Sequence, residues 1–323
     1  MDREEKSFEY LVTDEFEGLR IDKLLSELYP SFSRTYIKKL IDDKKVFCNE
    51  KNVKASFIIS ENDFIRMEIP PAQIPEILPQ DIPLDIIYED DDVLVVNKPK
   101  DMVVHPAAGH YTDTLVNAVM FHCKDNLSGI NGVLRPGIVH RIDKDTTGSV
   151  IICKNDNAHQ KIAEQLKEHS INRVYNAICY GIIKEDEGTV ESLIGRSPTD
   201  RKKMAVVKSG GKEAVTHFRV LKRFEADNMT YIECKLETGR THQIRVHFAH
   251  IGHPVIGDSK YGDFDLNKMI ESEYHFKNQF LSAFSLSFHD VEQMLSNLKN
   301  KNFQVELSHE LLDLLSSLDD NKL

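Results

Sequence analysis

Asp143, set in a short run of charged and small polar residues, is where this chain first offers chemistry. In His140-Arg141-Ile142-Asp143-Lys144-Asp145-Thr146-Thr147-Gly148 the carboxylate stands between two basic neighbours, Arg141 and Lys144. An opposite charge within about 4–6 Å favours an ionised carboxylate, which suits a nucleophile or a base at neutral pH. The flanking runs, Gly137-Ile138-Val139 and Ser149-Val150-Ile151-Ile152, are apolar and rich in β-branched residues. Both read as strands, which makes the polar stretch a turn held at the rim of a sheet. A charged loop closed by an Asx-turn fits the same residues equally well.

Two other constellations compete for attention. Asp143-Lys144-Asp145-Thr146-Thr147 fits Asp-x-Asp-x-Thr, the nucleophile loop of aspartyl-phosphate phosphatases, in which magnesium shields the charge. Those enzymes need an unbroken apolar strand before the loop and an acidic metal pair well after it. Here His140 and Arg141 interrupt the strand, and the nearest acidic cluster, Asp90 to Asp92, lies upstream. His242, His247, His250 and His253 suggest a metal site, but spacings of five, three and three with no convergent carboxylate favour histidines held by hydrogen bonds. No metal and no cofactor is expected.

The elements that must position Asp143 fall on either side of a proline-rich stretch. Pro70, Pro71, Pro75, Pro79 and Pro83 lie together with Glu76 and Asp81, the composition of an extended linker, placed at 71–83. Before it, Ile21, Leu24, Leu25 and Leu28 recur at helical spacing. Ser33 caps a second helix carrying Ile37, Leu40 and Ile41, and Val46-Phe47-Cys48 and Ile65-Arg66-Met67-Glu68-Ile69 read as strands. After the linker, Asp85-Ile86-Ile87-Tyr88 and Val93-Leu94-Val95-Val96 form a hairpin. Helices are expected at 113–123, 156–169 and 241–251, and strands at 173–180, 213–223, 229–237 and 280–288. The tail after Phe303 reads as a strand and a short amphipathic helix. That pattern gives an α+β domain on a large, mostly antiparallel sheet.

Charge sharpens the division. The chain carries 41 Lys and Arg against 52 Asp and Glu, a net charge of -11, which taken alone argues against nucleic acid. Residues 34–54, however, hold seven basic side chains, Arg34, Lys38, Lys39, Lys44, Lys45, Lys51 and Lys54, against three acids. RNA phosphates respond to such a local patch rather than to the sum, although a solvated helix face has the same composition. A second basic run, Arg196, Arg201, Lys202, Lys203, Lys208 and Lys212, fits a phosphate grip or a solvated loop.

Arg135-Pro136-Gly137-Ile138-Val139-His140-Arg141-Ile142-Asp143-Lys144-Asp145-Thr146-Thr147-Gly148 resembles the signature of the RluA/RluD family of pseudouridine synthases. Further blocks are similar to the same family in the same order: Val95 to Pro99 with His105-Pro106, Asn172 to Tyr175, Pro198 to Met204, and Thr238 to His247. The wording of the Asp143 and Asp200 blocks leans to the RluD type, whose substrate is large-subunit ribosomal RNA; transfer RNA is the second choice. Residues 1–70 resemble the RNA-binding domain named after ribosomal protein S-four, departing from it at Glu50 and Asn62, where glycine-containing turns are usual. The resemblance implies a small N-terminal α/β RNA-binding domain over 1–70. It also implies a catalytic domain over 84–323, with an eight-stranded mixed sheet and flanking helices in the pseudouridine synthase fold.

What the resemblance implies for chemistry is an isomerisation. The N-glycosidic bond of uridine breaks, the uracil rotates, and it rejoins ribose through carbon, with no redox change. Asp143 falls on the family's catalytic aspartate, Arg245 on its basic partner, and Tyr175 on the tyrosine that packs against the uracil. Arg141 matches the residue that fills the gap left in the RNA stack. Attack on ribose, attack on uracil and help to a departing sugar proton all remain open for Asp143. Without the resemblance, Arg245 reads as a surface ion pair and Tyr175 as a core residue of a strand. Arg34, Lys38, Lys39, Arg201, Lys202 and Lys203 are the candidate RNA contacts. No apolar run approaches the roughly 20 residues of a membrane span, the N-terminus is not a signal peptide, and five scattered cysteines read as buried thiols. The expected protein is a cytoplasmic monomer that meets RNA and no membrane.

Overall fold

Apolar spacing accounts for the two compact units into which the chain divides, Met1–Glu76 and Ile77–Leu323. The structure, a computed structural model, describes residues 6–70, 77–106, 110–124, 126–132, 135–289 and 293–320. In the smaller unit, β1 (Lys6–Leu11) precedes α1 (Ile21–Leu28) and α2 (Arg34–Asp42), followed by β2 (Val46–Cys48), β3 (Lys51–Asn52) and β4 (Phe64–Ile69). The helical spacing of Leu24, Leu25, Ile37, Leu40 and Ile41 puts them on one buried face, packed on Val46, Ile65 and Met67 of the sheet. Ser33 caps α2 by accepting a hydrogen bond from the Tyr36 N–H. Strand order is β1-β4-β2-β3, and every pair is antiparallel.

The departure at Glu50 changes the residue and not the turn. Asn49 and Glu50, between β2 and β3, have φ of 49° and 64°. Positive φ at both central residues is the geometry of a type I′ hairpin turn.

The larger unit is built on β5 (Asp85–Glu89), β6 (Val93–Lys98), α3 (Leu115–Cys123), β7 (Thr147–Cys153), α4 (Asp156–Lys167) and β8 (Ile171–Tyr180). It continues through β9 (Glu187–Arg196), β10 (Met204–Val206), β11 (Lys212–Phe224), β12 (Met229–Leu236), α5 (Gln243–His250), α6 (Phe264–Tyr274), β13 (Leu281–Phe288), β14 (Asn302–Gln304) and α7 (His309–Asp320). One sheet of ten strands runs β10-β9-β11-β12-β8-β13-β7-β6-β5, with β14 on β13, in place of the eight strands expected. Strand β9 escapes a reading by apolar alternation because Glu187, Thr189 and Glu191 face out; β10 and β14 have three residues each, too few to show a period. The β13–β7 pair is parallel and the rest are antiparallel.

The central strands explain their own composition. Leu94 and Val96 of β6 join Val150 and Ile152 of β7 in one core, against Val119 of α3 and Ile244 and Phe248 of α5. Their neighbours Val93, Val95, Ile151 and Cys153 join the core on the opposite face, with Ala158 and Ile162 of α4. A strand covered on both faces reads as an unbroken apolar run. Of the expected linker, 71–76 lie outside the described residues. Ile77 is buried in the larger unit's core, and the Gln80 N–H donates to the Asn117 carbonyl at 3.0 Å. Residues 77–83 therefore run along the larger unit.

Candidate active site

Strand β7 holds Asp143 from its C-terminal side only. Gly148, at φ 117°, opens that strand where it meets β13 in parallel, and a Cβ there would collide with the backbone carbonyl of Ala283. Only glycine lets the two backbones approach, so the loop leaves the sheet at a set point. The N-terminal flank, Gly137-Ile138-Val139, is not the strand expected. A single bridge joins Ile138 to Ile152, and Gly137 turns at φ 70° while its carbonyl accepts the Cys153 N–H at 2.9 Å. Left-handed backbone cannot continue a ladder.

Two further groups hold the loop. Lys98, at the end of β6, is fully buried and donates from Nζ to the carbonyls of Pro99, Met102 and Lys144 at 2.6, 2.8 and 2.9 Å. Burial pulls its pKa down to about 7 against the fields of Asp145, Asp143 and Asp101. Gln279 Nε2 donates to Thr146 Oγ1 at 2.7 Å. Lys98 stands in a block that carries the family resemblance, yet local pattern gives it no role; a lysine closing an apolar strand was the available signal.

The charge that addresses Asp143 comes from across the fold. Arg141 and Lys144, its neighbours in sequence, turn elsewhere: Arg141 Nη1 lies 3.5 Å from His105 Nε2, and Lys144 Nζ lies 3.7 Å from Asp101. Arg245 Nη1 instead donates to Asp143 Oδ2 at 2.7 Å. Its other edge is gripped by Asp258, which accepts from Nε at 2.6 Å and from Nη2 at 2.9 Å. Asp258 is 1% exposed and also accepts the N–H groups of Lys260 and Tyr261. Burial works against the charge on Arg245, but Asp258 and then Asp143 outweigh it and hold the guanidinium above its ordinary value. Burial would likewise raise Asp258, and the Arg245 bonds and backbone N–H groups hold it below the usual carboxylate range.

Helix α5 begins at Gln243 rather than at Thr241, because His242 sits in the left-handed region at φ 57°. Gln243 is buried and fixes that start: its Nε2 donates to the Val215 carbonyl at 2.9 Å, and its Oε1 accepts from Thr238 and Arg240. Arg245 consequently lies in the first turn, and its guanidinium rests 5.0 Å from the ring of Tyr261. His242 Nε2 is 3.8 Å from Asp143 Oδ1, and its Nδ1 is 2.6 Å from the Tyr261 hydroxyl, which also accepts the Met204 N–H at 2.9 Å. Burial lowers His242 to about 4, so the ring is neutral at pH 7. Asp258 and Tyr261 carry no local sequence signal of a role at the site.

Tyr175 is buried in β8, and burial raises its phenol; Arg173 opposes the shift and the Asp143 carboxylate adds to it. The structure joins Arg245 to Asp143 directly, while Tyr175 feels the field of that carboxylate from β8. Arg141 stays exposed on the same loop beside buried His105, whose pKa burial lowers to about 4. Arg201 and Lys202 are exposed, and Lys203 half-buried, on the β9–β10 connection. It is a built turn: Ser197 Oγ accepts from the N–H groups of Thr199 and Asp200, and Asp200 Oδ1 accepts from that of Lys202.

In the smaller unit Lys38 and Lys39 are exposed on α2. Arg34 is exposed too, but its Nε and Nη2 both donate to Asp22, a buried carboxylate that Arg20 also holds. Its guanidinium is committed within the unit.

The histidine run does not converge. His247 is buried between Thr216 and Ser192, and His253 Nδ1 bonds the Tyr180 carbonyl. Among the described residues one trio of possible metal ligands meets, Glu89, His122 and Cys123. Lys154 Nζ already sits 2.9 Å from Glu89, and burial pushes the Cys123 thiol up to about 11, so this is an ion-paired cluster with a protonated thiol.

Residues 92–250 match the family model described as RNA pseudouridylate synthase, and residues 19–65 match the S4 domain. The chain is 50% identical over 250 residues to an uncharacterised RNA pseudouridine synthase of Bacillus subtilis, a match covering 77% of this chain and 81% of the relative. It is 48% identical over 254 residues to ribosomal large subunit pseudouridine synthase D of Zymomonas mobilis, covering 78% and 79%. Among solved structures, human RNA pseudouridylate synthase domain containing 1 aligns over 74% of this chain and 96% of its own, with a TM-score of 0.52 and 25% identity. No helix among the described residues is long and apolar enough to cross a membrane.

Proposed function

The chain belongs to the RNA pseudouridylate synthase family, an isomerase of RNA uridines, and from that premise we propose that it acts on large-subunit ribosomal RNA with Asp143 as the reacting carboxylate. The observation that carries the site is the division of Arg245 between two carboxylates. Asp258 takes one edge and aims the guanidinium; Nη1 donates to Asp143 Oδ2, leaving Oδ1 for the substrate. An ionised, oriented carboxylate divides one difficult displacement at the glycosidic bond into easier steps, and the isomerisation needs no redox partner. Tyr175 supplies a neutral phenol and an aromatic face for the rotating uracil. The target uridine must leave its stack to reach the site, and Arg141, exposed on the same loop, fills the gap.

The ribosomal substrate is supported by the names of relatives from Zymomonas mobilis and Pseudomonas aeruginosa, both ribosomal large subunit pseudouridine synthase D. Transfer RNA is the alternative outcome. Residues 1–70 add RNA grip through Lys38 and Lys39, and the unit from Ile77 onward does the chemistry, with Arg201, Lys202 and Lys203 on phosphates, in a cytoplasmic monomer.

Mapping carbodiimide-reactive pseudouridines in ribosomal and transfer RNA from cells with and without this protein identifies the substrate. Asp143→Asn, which keeps shape and loses charge, abolishes the isomerisation while RNA affinity stays near wild type. Activity within a few-fold of wild type removes Asp143 from the role. Chelator leaves the reaction running on prefolded RNA, whereas an aspartyl-phosphate chemistry would stop.

A further inference from the structure

We infer that His242 and Asp143 together bind the ribose 2′-hydroxyl of the target nucleotide, His242 donating to its oxygen while the hydroxyl donates to Asp143 Oδ1. The inference rests on Asp143 as the reacting carboxylate and adds a selectivity element to it.

The hydrogen-bond chain behind the histidine sets its tautomer. Tyr261 Oη accepts the Met204 N–H and has one proton to give; donated to the group 2.6 Å away, His242 Nδ1, it makes that nitrogen an acceptor. With Nδ1 an acceptor, the neutral ring carries its proton on Nε2. The facing charge agrees, since a bare Nε2 lone pair opposite a carboxylate oxygen would be repelled, while an N–H is attracted. His242 Nε2 and Asp143 Oδ1 stand 3.8 Å apart, too far for a hydrogen bond to each other. Among the described residues Oδ1 accepts no hydrogen bond; Arg245 holds Oδ2 alone.

A fixed donor and a fixed acceptor at that separation fit one oxygen that both accepts and donates. Two contacts of about 2.8–2.9 Å close a triangle on a 3.8 Å base. A hydroxyl meets the requirement; a phosphate oxygen or a base carbonyl, which only accept, does not. Of the groups near the glycosidic bond of a ribonucleotide, the 2′-hydroxyl is the one of that kind, and it distinguishes RNA from DNA. Both side chains remain partly accessible, at 13% for His242 and 16% for Asp143. The backbone adds an independent sign. His242 holds a left-handed conformation that costs a residue with a Cβ about 1–3 kcal/mol, and such strain gathers at functional sites.

The test pairs substrate and protein changes. A ribosomal RNA fragment carrying the mapped target is made with uridine or with 2′-deoxyuridine at that position, and single-turnover isomerisation is measured with the full-length protein. Wild type favours the ribose form by about 10- to 100-fold, the worth of hydrogen bonds involving an ionised group. In His242→Phe and His242→Asn the ratio falls by at least about 5-fold, since phenylalanine has no donor and the asparagine amide is shorter than the imidazole reach to Nε2. Asparagine tolerates left-handed backbone, so His242→Asn keeps the fold if phenylalanine does not. A wild-type ratio near one, an unchanged ratio in a folded variant, or nitrogen NMR placing the proton on Nδ1 would overturn the inference. Full activity of Asp143→Asn removes the reading beneath it; an inactive Asp143→Asn together with an unchanged ratio in the His242 variants removes the role of His242 alone.

Discussion

Among the described residues each compact unit contains one carboxylate–guanidinium cluster built on a fully buried carboxylate, and the two have opposite stoichiometry. In the smaller unit one carboxylate, Asp22, takes two guanidiniums, Arg20 and Arg34. In the larger unit one guanidinium, Arg245, takes two carboxylates, Asp143 and Asp258. Asp22 is saturated and covered, with no accessible surface, so its cluster pins the start of α1 to the start of α2 and can do nothing else. Arg245 leaves one oxygen of Asp143 without a partner among the described residues, on a side chain 16% exposed, and on the proposed reading that surplus makes the site. On the proposed reading, a buried ion pair becomes chemistry when one partner is left incompletely bonded and open to substrate.

The comparison breaks most severely at Arg245. Arg245→Ala strands Asp258 in the interior and frees Asp143, so we expect about 3–5 kcal/mol of lost stability and a turnover loss of about 10³-fold or more. Arg245→Lys keeps charge but cannot bridge two carboxylates in one plane, and turnover falls by about 10- to 100-fold. Thermal unfolding and single-turnover rates separate the two effects. Equal, mild losses for both variants would mean that the divided guanidinium does not organise the site.

Asp22→Asn should act on stability alone. Burial would raise the Asp22 pKa, but the bonds and charges of Arg20 and Arg34 hold it below the usual range. A depressed carboxylate contributes stability above its unfolded value, near pH 4, and that contribution is lost as pH falls through the lower folded value. Both arginines are exposed, so the neutral amide costs only about 1–2 kcal/mol. Hydrogen exchange of residues 6–70 reads the loss as faster exchange at pH 7, with the gap to wild type closing in acid. Catalysis on a short uridine-containing RNA stays unchanged; a fall in turnover there would couple the two clusters.

Exposed charge is sharpened by salt. Lys38→Glu with Lys39→Glu weakens binding to structured ribosomal RNA and flattens the log–log salt dependence by up to about 0.9 per phosphate contact, if the duplex DNA value transfers. An unchanged slope would take α2 off the RNA. Smallest of all, Glu50→Gly relieves a left-handed residue in the β2–β3 turn and raises stability by about 0.5–1 kcal/mol, read as a rise in melting temperature. A fall would mean that the ion pair of Glu50 with Arg66 outweighs the backbone strain.

Legibility follows the range of the interaction. Helices α1 and α2 are written in the spacing of Leu24, Leu25, Ile37, Leu40 and Ile41, because burying a face every 3.6 residues is local geometry. The apolar runs of β6 and β7 announce strands covered on both faces. Asp143 stands out by composition, and the resemblance of its surroundings names a family. By contrast β9 hides behind its polar face, and the N-terminal flank of the Asp143 loop looks like strand until Gly137 turns it.

What the sequence by itself determined is therefore the set of elements with a clear period, the basic character of residues 34–54, and the residue types from which a carboxylate site can be made. Tertiary structure decided which charges meet. Arg141 and Lys144 are one or two residues from Asp143 and turn away, while Arg245, 102 residues on in the chain, supplies the bond. Asp258 behind it, Lys98 beneath the loop and the Tyr261 hydroxyl behind His242 are likewise matters of packing. Adjacent side chains on a turn diverge because the backbone rotates between them. Directed hydrogen bonds form where a packed sheet and an unusual helix start bring distant groups into a fixed, water-poor geometry.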